Sequence, residues 1–156
     1  SVTRCVEALA AAVRARGKPI TAAVFPTPAL ARTLVRQAWE EWPVDAVFPM
    51  LYHGFYQEEV PWIGACVREA RAAGAGLGAL PASDGAAPPD ALFAGLYLPD
   101  LEPAELARAV AVAREAGAGG VSVFEMGGLT DEHLTALAGA LGAVPAGASA
   151  SEPARR

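Results

Sequence analysis

Two carboxylates, a histidine and three tyrosines stand where this chain could do chemistry. Asp100 follows the apolar run LFAGLYLP, and Glu125 closes the run GVSVF. Each carboxylate therefore leaves the end of a candidate strand. At such a place it could serve as general acid, general base or nucleophile. Tyr52, His53 and Tyr56 follow VDAVFPM, and Tyr97 lies inside LFAGLYLPD. Phenol and imidazole rings there can stack on a ligand or hydrogen-bond to it, and imidazole titrates near neutral pH.

Each of these residues also has a plainer reading. Glu125 can pair with an arginine or cap the Gly127-Gly128 loop, and Asp100 in Asp-Leu-Glu-Pro suits the start of a helix. A histidine beside a tyrosine is often structural, and His133, on a polar helix face, is expected in solvent. Phe55, Tyr56 and Trp62 form an aromatic group in which Trp62 is assigned to packing and Tyr56 to binding. Trp39 and Trp42, three apart on one expected helix, face the same side and belong to the core. Asp45 precedes its strand, where side chains serve stability more than chemistry.

Elements that alternate regularly must position these groups. Val2, Val6, Leu9, Ala10 and Val13 recur at helical spacing, with Gly17 placed to end that helix. KPITAAVFP reads as a doubly buried parallel strand. Thr27 and Pro28 then supply an N-cap and a first-turn proline for ALARTLVRQAWEEW. VDAVFPMLY is a second strand, HGFYQEE a loop, and VPWIGACVREARAAG a helix ended by Gly74. Residues 75–91, rich in Gly, Ala and Pro, form a long connection in which LGAL is a possible short strand. LFAGLYLPD is the third strand. Pro103 starts a helix whose Leu106, Val110 and Ala113 share a face, and Gly117 ends it. GGVSVFEM is the fourth strand, and Thr130 caps DEHLTALAGALG, with Asp131 and Glu132 at its positive end. Residues 1–141 make one α/β domain, and 142–156 read as a disordered tail.

Four strands alternating with helices require a parallel sheet with right-handed crossovers. The pattern alone leaves open whether that sheet is doubly wound or part of a barrel.

Composition removes several classes of function. The 156 residues carry 53% hydrophobic content, enough for one core. With 12 Lys+Arg against 17 Asp+Glu and a net charge of −5, there is no basic stripe for nucleic acid. No apolar run reaches the roughly 18–20 residues of a membrane span, and no export signal opens the chain. It starts without Met and almost at once in a helix, which suggests a beginning inside a longer protein. Cys5 and Cys66 lack neighbours at metal-ligand spacing and are expected to be buried, inert thiols. The glycines at 74, 76 and 78 do not fit the dinucleotide fingerprint. No cofactor is called for.

The segment VRQAWEEWPVDAVFPMLYHGFY resembles the family-ten-like hypothetical glycosyl hydrolases, in which a Gln-Asp-Trp helix precedes an Asp-x-x-x-Pro-Met-x-Tyr-His strand. KPITAAVFPTP is similar to their preceding strand, LFAGLYLPDLEPAEL to their seventh strand and its loop, and GAGGVSVFEMGGLT to their eighth. Most of residues 1–141 is covered. Ala38 stands where the family has Asp, which puts a local salt bridge in doubt more than chemistry. The resemblance implies that the four strands are the fifth to eighth of a (β/α)₈ TIM barrel, so that the chain is its C-terminal half. It also implies hydrolysis of poly- or oligosaccharide, which needs two carboxyl groups about 5–9 Å apart. Glu125 and Asp100 are the candidates for catalysis here, although the family supplies no matching Glu at position 125. Tyr52, His53, Tyr56 and Tyr97 are the candidates for contact with the sugar.

Two other functions compete. Gly127-Gly128 before a helix N-terminus is a plausible phosphate site of an aldolase- or isomerase-type barrel, although the only lysine, Lys18, precedes its strand and cannot form a Schiff base at a strand end. Alternatively, a half barrel with open edges is a non-catalytic binding or assembly module, completed by its missing half or by self-association.

Overall fold

The computed structural model describes residues 1–75 and 91–142. Helix α1 (Val2–Arg14) is followed by strand β1 (Thr21–Val24), α2 (Pro28–Val35), β2 (Ala46–Pro49) and α3 (Val60–Ala72). After the undescribed connection come β3 (Phe93–Tyr97), α4 (Pro103–Glu115), β4 (Gly120–Phe124) and α5 (Asp131–Leu141). The possible strand in LGAL lies outside the described residues, as does the expected tail beyond Gly142.

All strand pairing among the described residues is parallel. β1 pairs with β2 (Thr21 opposite Ala46, Val24 opposite Pro49), and β3 with β4 (Phe93 opposite Gly120, Tyr97 opposite Phe124). The two small sheets meet through isolated bridges, Val47 to Leu92 and Met50 to Gly95. There the Leu51 N–H donates to the Gly95 carbonyl at 2.8 Å. Strand neighbours thus follow chain order. Helix α1 precedes the first strand, whereas α2 to α5 each follow the C-terminal end of a strand, so the loops at those ends share one side of the molecule.

Period-two alternation divides the strand side chains between two faces. Val24, Val47, Leu51, Leu92, Ala94 and Leu96 turn to the helices and join Ile63, Val67, Leu106 and Val110 in a single core. On the other face Thr21, Ala23 and Phe124 are exposed, while Phe48, Met50, Phe93 and Ser122 are half-buried. Phe48 and Phe93 stack there with ring centroids 5.0 Å apart. The expectation of a doubly buried first strand is therefore corrected. β1 lies at the edge of its sheet, and only Val24 of its four residues is buried.

Helix ends follow local chemistry. The Thr27 hydroxyl accepts the Leu30 N–H at 3.3 Å, with Pro28 at N1, and Pro103 occupies the same place in α4. Gly17, Gly74 and Gly117 all take positive φ just after a helix, as expected of glycines that end one. The helix expected to run from Ala29 to Trp42 is corrected, because α2 stops at Val35 and Arg36 takes the left-handed conformation (φ 57°). The break has a tertiary cause. It lets the Gln37 side chain accept the Phe25 N–H at 3.1 Å, and it brings Glu40 and Glu41 onto Arg32. Trp39 and Trp42 sit in a short 3₁₀ turn. Trp39 is in the core, and half-buried Trp42 donates its indole N–H to Thr3 at 3.3 Å.

His133 corrects a third expectation. It is buried, its Nε2 lies 3.0 Å from the Leu101 carbonyl, and its Nδ1 lies 2.8 Å from the Thr130 hydroxyl. The helix face that reads as polar in sequence is the one α5 turns toward the loop after β3. The expectation of two buried thiols is corrected for one of them. Cys66 is buried in α3, and burial pushes its thiol up to about 12, whereas Cys5 is exposed.

Candidate functional site

Chemistry-bearing groups gather at the C-terminal ends of β2, β3 and β4. The β2 run ends in Leu51, which turns to the core, so alternation sends Tyr52 to the opposite face. Tyr97 ends β3 and Phe124 ends β4, paired in register. Their rings form one cluster. Tyr52 lies 5.3 Å from Tyr97 and 6.1 Å from Phe124, and Tyr97 lies 6.2 Å from Phe124, all between centroids. The 3₁₀ turn His53–Tyr56 then brings Phe55 against both tyrosines, 5.8 Å from Tyr52 and 5.0 Å from Tyr97.

Beside this cluster is an open cavity of about 340 Å³ lined by Gly54, Phe55, Tyr97 and Asp100. Asp100 ends a short 3₁₀ turn, Leu98–Asp100. Its expected part in starting the next helix is corrected, because the N-cap residue of α4 is Glu102. Burial, and then the neighbouring Tyr97, raise the Tyr52 phenol above its usual range, so it remains a neutral hydrogen-bonding hydroxyl at physiological pH.

His53 is buried next to the cavity wall, and its Nδ1 is shielded from solvent without a hydrogen-bond partner. Such a group is costly unless a polar partner reaches it. Tyr56 turns elsewhere. It stacks on Trp62 at 5.1 Å, and Trp62 packs on the core, so this pair braces the turn against α3.

Glu125 follows β4, after a cis peptide bond from Phe124. It is exposed, and its Oε1 lies 3.9 Å from where a Cβ on Gly127 would stand. The carboxylate thus curls over its own glycine loop, near the Leu98–Asp100 turn, which packs beside the Met126–Gly128 turn. Phe124, rather than Glu125, enters the aromatic cluster. The signal for this was in the sequence: Val121 and Val123 are the helix-facing positions of GVSVF, so Phe124 shares the other face with Ser122. Phe55 stands in sequence beside Tyr56 and near Trp62, and its partnership with Tyr97 depends on a turn that periodicity does not reveal. Pro26, at the end of the β1 run, is buried and presents no polar group.

The described stretches that follow β2, β3 and β4 carry charge of one sign. The stretches 50–59, 98–102 and 125–130 carry Glu58, Glu59, Asp100, Glu102 and Glu125 and no Lys or Arg. At the opposite end Asp45 accepts the Ile20 N–H at 2.7 Å and pairs with Arg14 at 3.0 Å. These two contacts hold its carboxyl below the usual range, the Ile20 hydrogen bond being the larger cause. No group of three or more potential metal ligands occurs among the described residues, and none of their helices is long and apolar enough to cross a membrane.

Comparison with protein-family models, with curated proteins and with solved structures found no match.

Proposed function

We propose that this chain is the C-terminal half of a (β/α)₈ barrel of glycoside-hydrolase type, and that its strand-end face binds a sugar ring of a poly- or oligosaccharide. The observation that carries the proposal is the convergence of Tyr52, Tyr97 and Phe124, from three neighbouring strands, beside the cavity that holds Asp100. The apolar C–H face of a sugar suits an aromatic platform, and its hydroxyls suit a carboxylate and a neutral phenol.

The architecture supports the barrel half of the proposal. Strand neighbours in chain order, with helices on one face, are what half of a barrel requires. Parallel strands are normally covered on both sides, yet Phe48, Met50 and Phe93 are only half-buried. Four further strands, or a second copy of the chain, would close over them. In the closed barrel Asp100 and Glu125 would lie at the mouth, with further carboxylates coming from the other half.

A phosphate ligand draws less support. The strand-end stretches hold no Lys or Arg, and the Thr130 hydroxyl and the His133 ring already serve the first amides of α5. Calorimetric titration with a panel of neutral oligosaccharides, run alongside a hydrolysis assay, tests the proposal. Weak binding without turnover, lost in Tyr97→Ala, is the expected result. A folded chain that binds none of them would overturn it.

A further inference from the structure

We propose that the strand-end cavity selects a positively charged amine, so that the sugar it takes is an amino sugar with a free ammonium group. The sugar part rests on the carbohydrate reading above, whereas the ammonium part stands on the geometry of the cavity.

Three walls define the preference. Phe55 is 64% exposed, and its ring meets that of Tyr97 at 59° with centroids 5.0 Å apart, so two aromatic rings form a corner of the cavity. The Asp100 carboxylate makes the third wall and belongs to none of the ion pairs of the described residues. An ammonium within about 6 Å of an aromatic face is attracted by the ring's quadrupole, and a carboxylate beside it adds a charge-assisted hydrogen bond. The described stretches around the cavity carry Glu58, Glu59, Glu102 and Glu125 and no Lys or Arg. A mouth of one sign concentrates ligands of the other.

The same walls discriminate among sugars. An unsubstituted glucose unit finds the platform but gains nothing from the charge. An N-acetylated unit sets a bulky neutral amide against the carboxylate. A uronic acid brings like charge to Asp100 and is rejected.

Nuclear magnetic resonance titration of the whole chain, at about pH 5.5 and low salt so that the glucosamine amines carry their protons, separates these cases. The probes are a glucosamine oligomer, its N-acetylated counterpart, a glucose oligomer of equal length and, as a cation without a sugar, tetramethylammonium. The glucosamine oligomer should bind about tenfold more tightly than the two uncharged oligomers. Added salt should narrow that gap, and Asp100→Asn should bring the glucosamine oligomer down to the affinity of the uncharged ones. Equal affinity for all three oligomers would overturn the charge selection while leaving the carbohydrate reading intact, and so would an advantage that survives Asp100→Asn. Binding of tetramethylammonium with no sugar bound would overturn the amino-sugar assignment together with the carbohydrate reading, and keep only the cation site.

Discussion

The carboxylate of Asp100 fills the space that a side chain on residue 54 would need. A Cβ built on Gly54 meets the Asp100 Oδ2 and stands 3.0 Å from its Cγ. The missing side chain therefore lets the turn after β2 and the turn after β3 close around one cavity.

Gly54→Ala should consequently turn Asp100 out of the cavity without unfolding the protein. Residue 54 is exposed and has no positive φ, so space rather than backbone strain is at stake. A change in stability within about 1 kcal/mol is expected from urea denaturation. Affinity for a glucosamine oligomer should fall in the same variant. Unchanged affinity would mean that the position of Asp100 is irrelevant to binding.

His133 ties α5 to the loop after β3. A carbonyl can only accept, so the ring must carry its proton on Nε2 toward Leu101, which leaves Nδ1 to accept from the Thr130 hydroxyl. His133→Ala removes these bonds and the one its Nδ1 accepts from the Thr130 N–H, and strands a buried carbonyl, for an expected loss of about 2–3 kcal/mol. Nitrogen NMR should show the Nε2–H tautomer, and the opposite tautomer would refute this assignment.

Asp45 gives the stability a dependence on acid. Its folded-state affinity for a proton is lowered from an ordinary value of 3.8, so its stabilising effect is complete above about pH 4 and disappears as pH falls through the lower folded value. Asp45→Asn should be less stable at pH 7 and show a flatter acid limb between pH 5 and 2. Arg14→Ala should do less, because the Ile20 hydrogen bond is the larger cause and Arg14 is 46% exposed. Equal acid limbs in the wild type and Asp45→Asn would contradict this account.

The two thiols should react separately. Cys5 is exposed, whereas Cys66 is buried and has its thiol pushed up to about 12. Since the thiolate is the reactive form, a thiol reagent at pH 8 should modify one equivalent in the native chain and a second only in denaturant. Two fast equivalents would place Cys66 at the surface.

What the sequence makes legible here is what is local. Thr27-Pro28 and Thr130 announce helix starts because the cap is made within a few residues, and the apolar runs announce strands because burial needs no partner's identity. The break after Val35 was not legible, since it depends on the Phe25 N–H finding Gln37 across the molecule. Burial of His133 depends on which loop α5 meets, and the company of Tyr52, Tyr97 and Phe124 depends on the register of three strands. Alternation along GVSVF puts Phe124 on the face of Ser122, and only the strand register shows that Phe124, rather than Glu125, joins the two tyrosines. Candidate residues were thus found one by one, and their assembly came only with the tertiary contacts.

The junction between β2 and β3 offers the sharpest test of that assembly. A Cβ on Gly95 would stand 2.7 Å from the Pro49 carbonyl oxygen and 3.3 Å from the Met50 Cα. Both are backbone atoms, held by the bridge at Met50 and the Leu51 to Gly95 hydrogen bond, so they cannot yield without parting the strands. Gly95→Ala should therefore cost about 1–3 kcal/mol, the usual range for overpacking. Gly120→Ala is the control. Its Cβ meets only the Phe93 ring, at 2.8 and 2.9 Å, and that side chain can swing into the open face. Replacing glycine by alanine would otherwise stabilise by about 0.4–1 kcal/mol through the unfolded chain. A neutral or stabilising Gly95→Ala in urea denaturation would thus show that the two small sheets are not joined here.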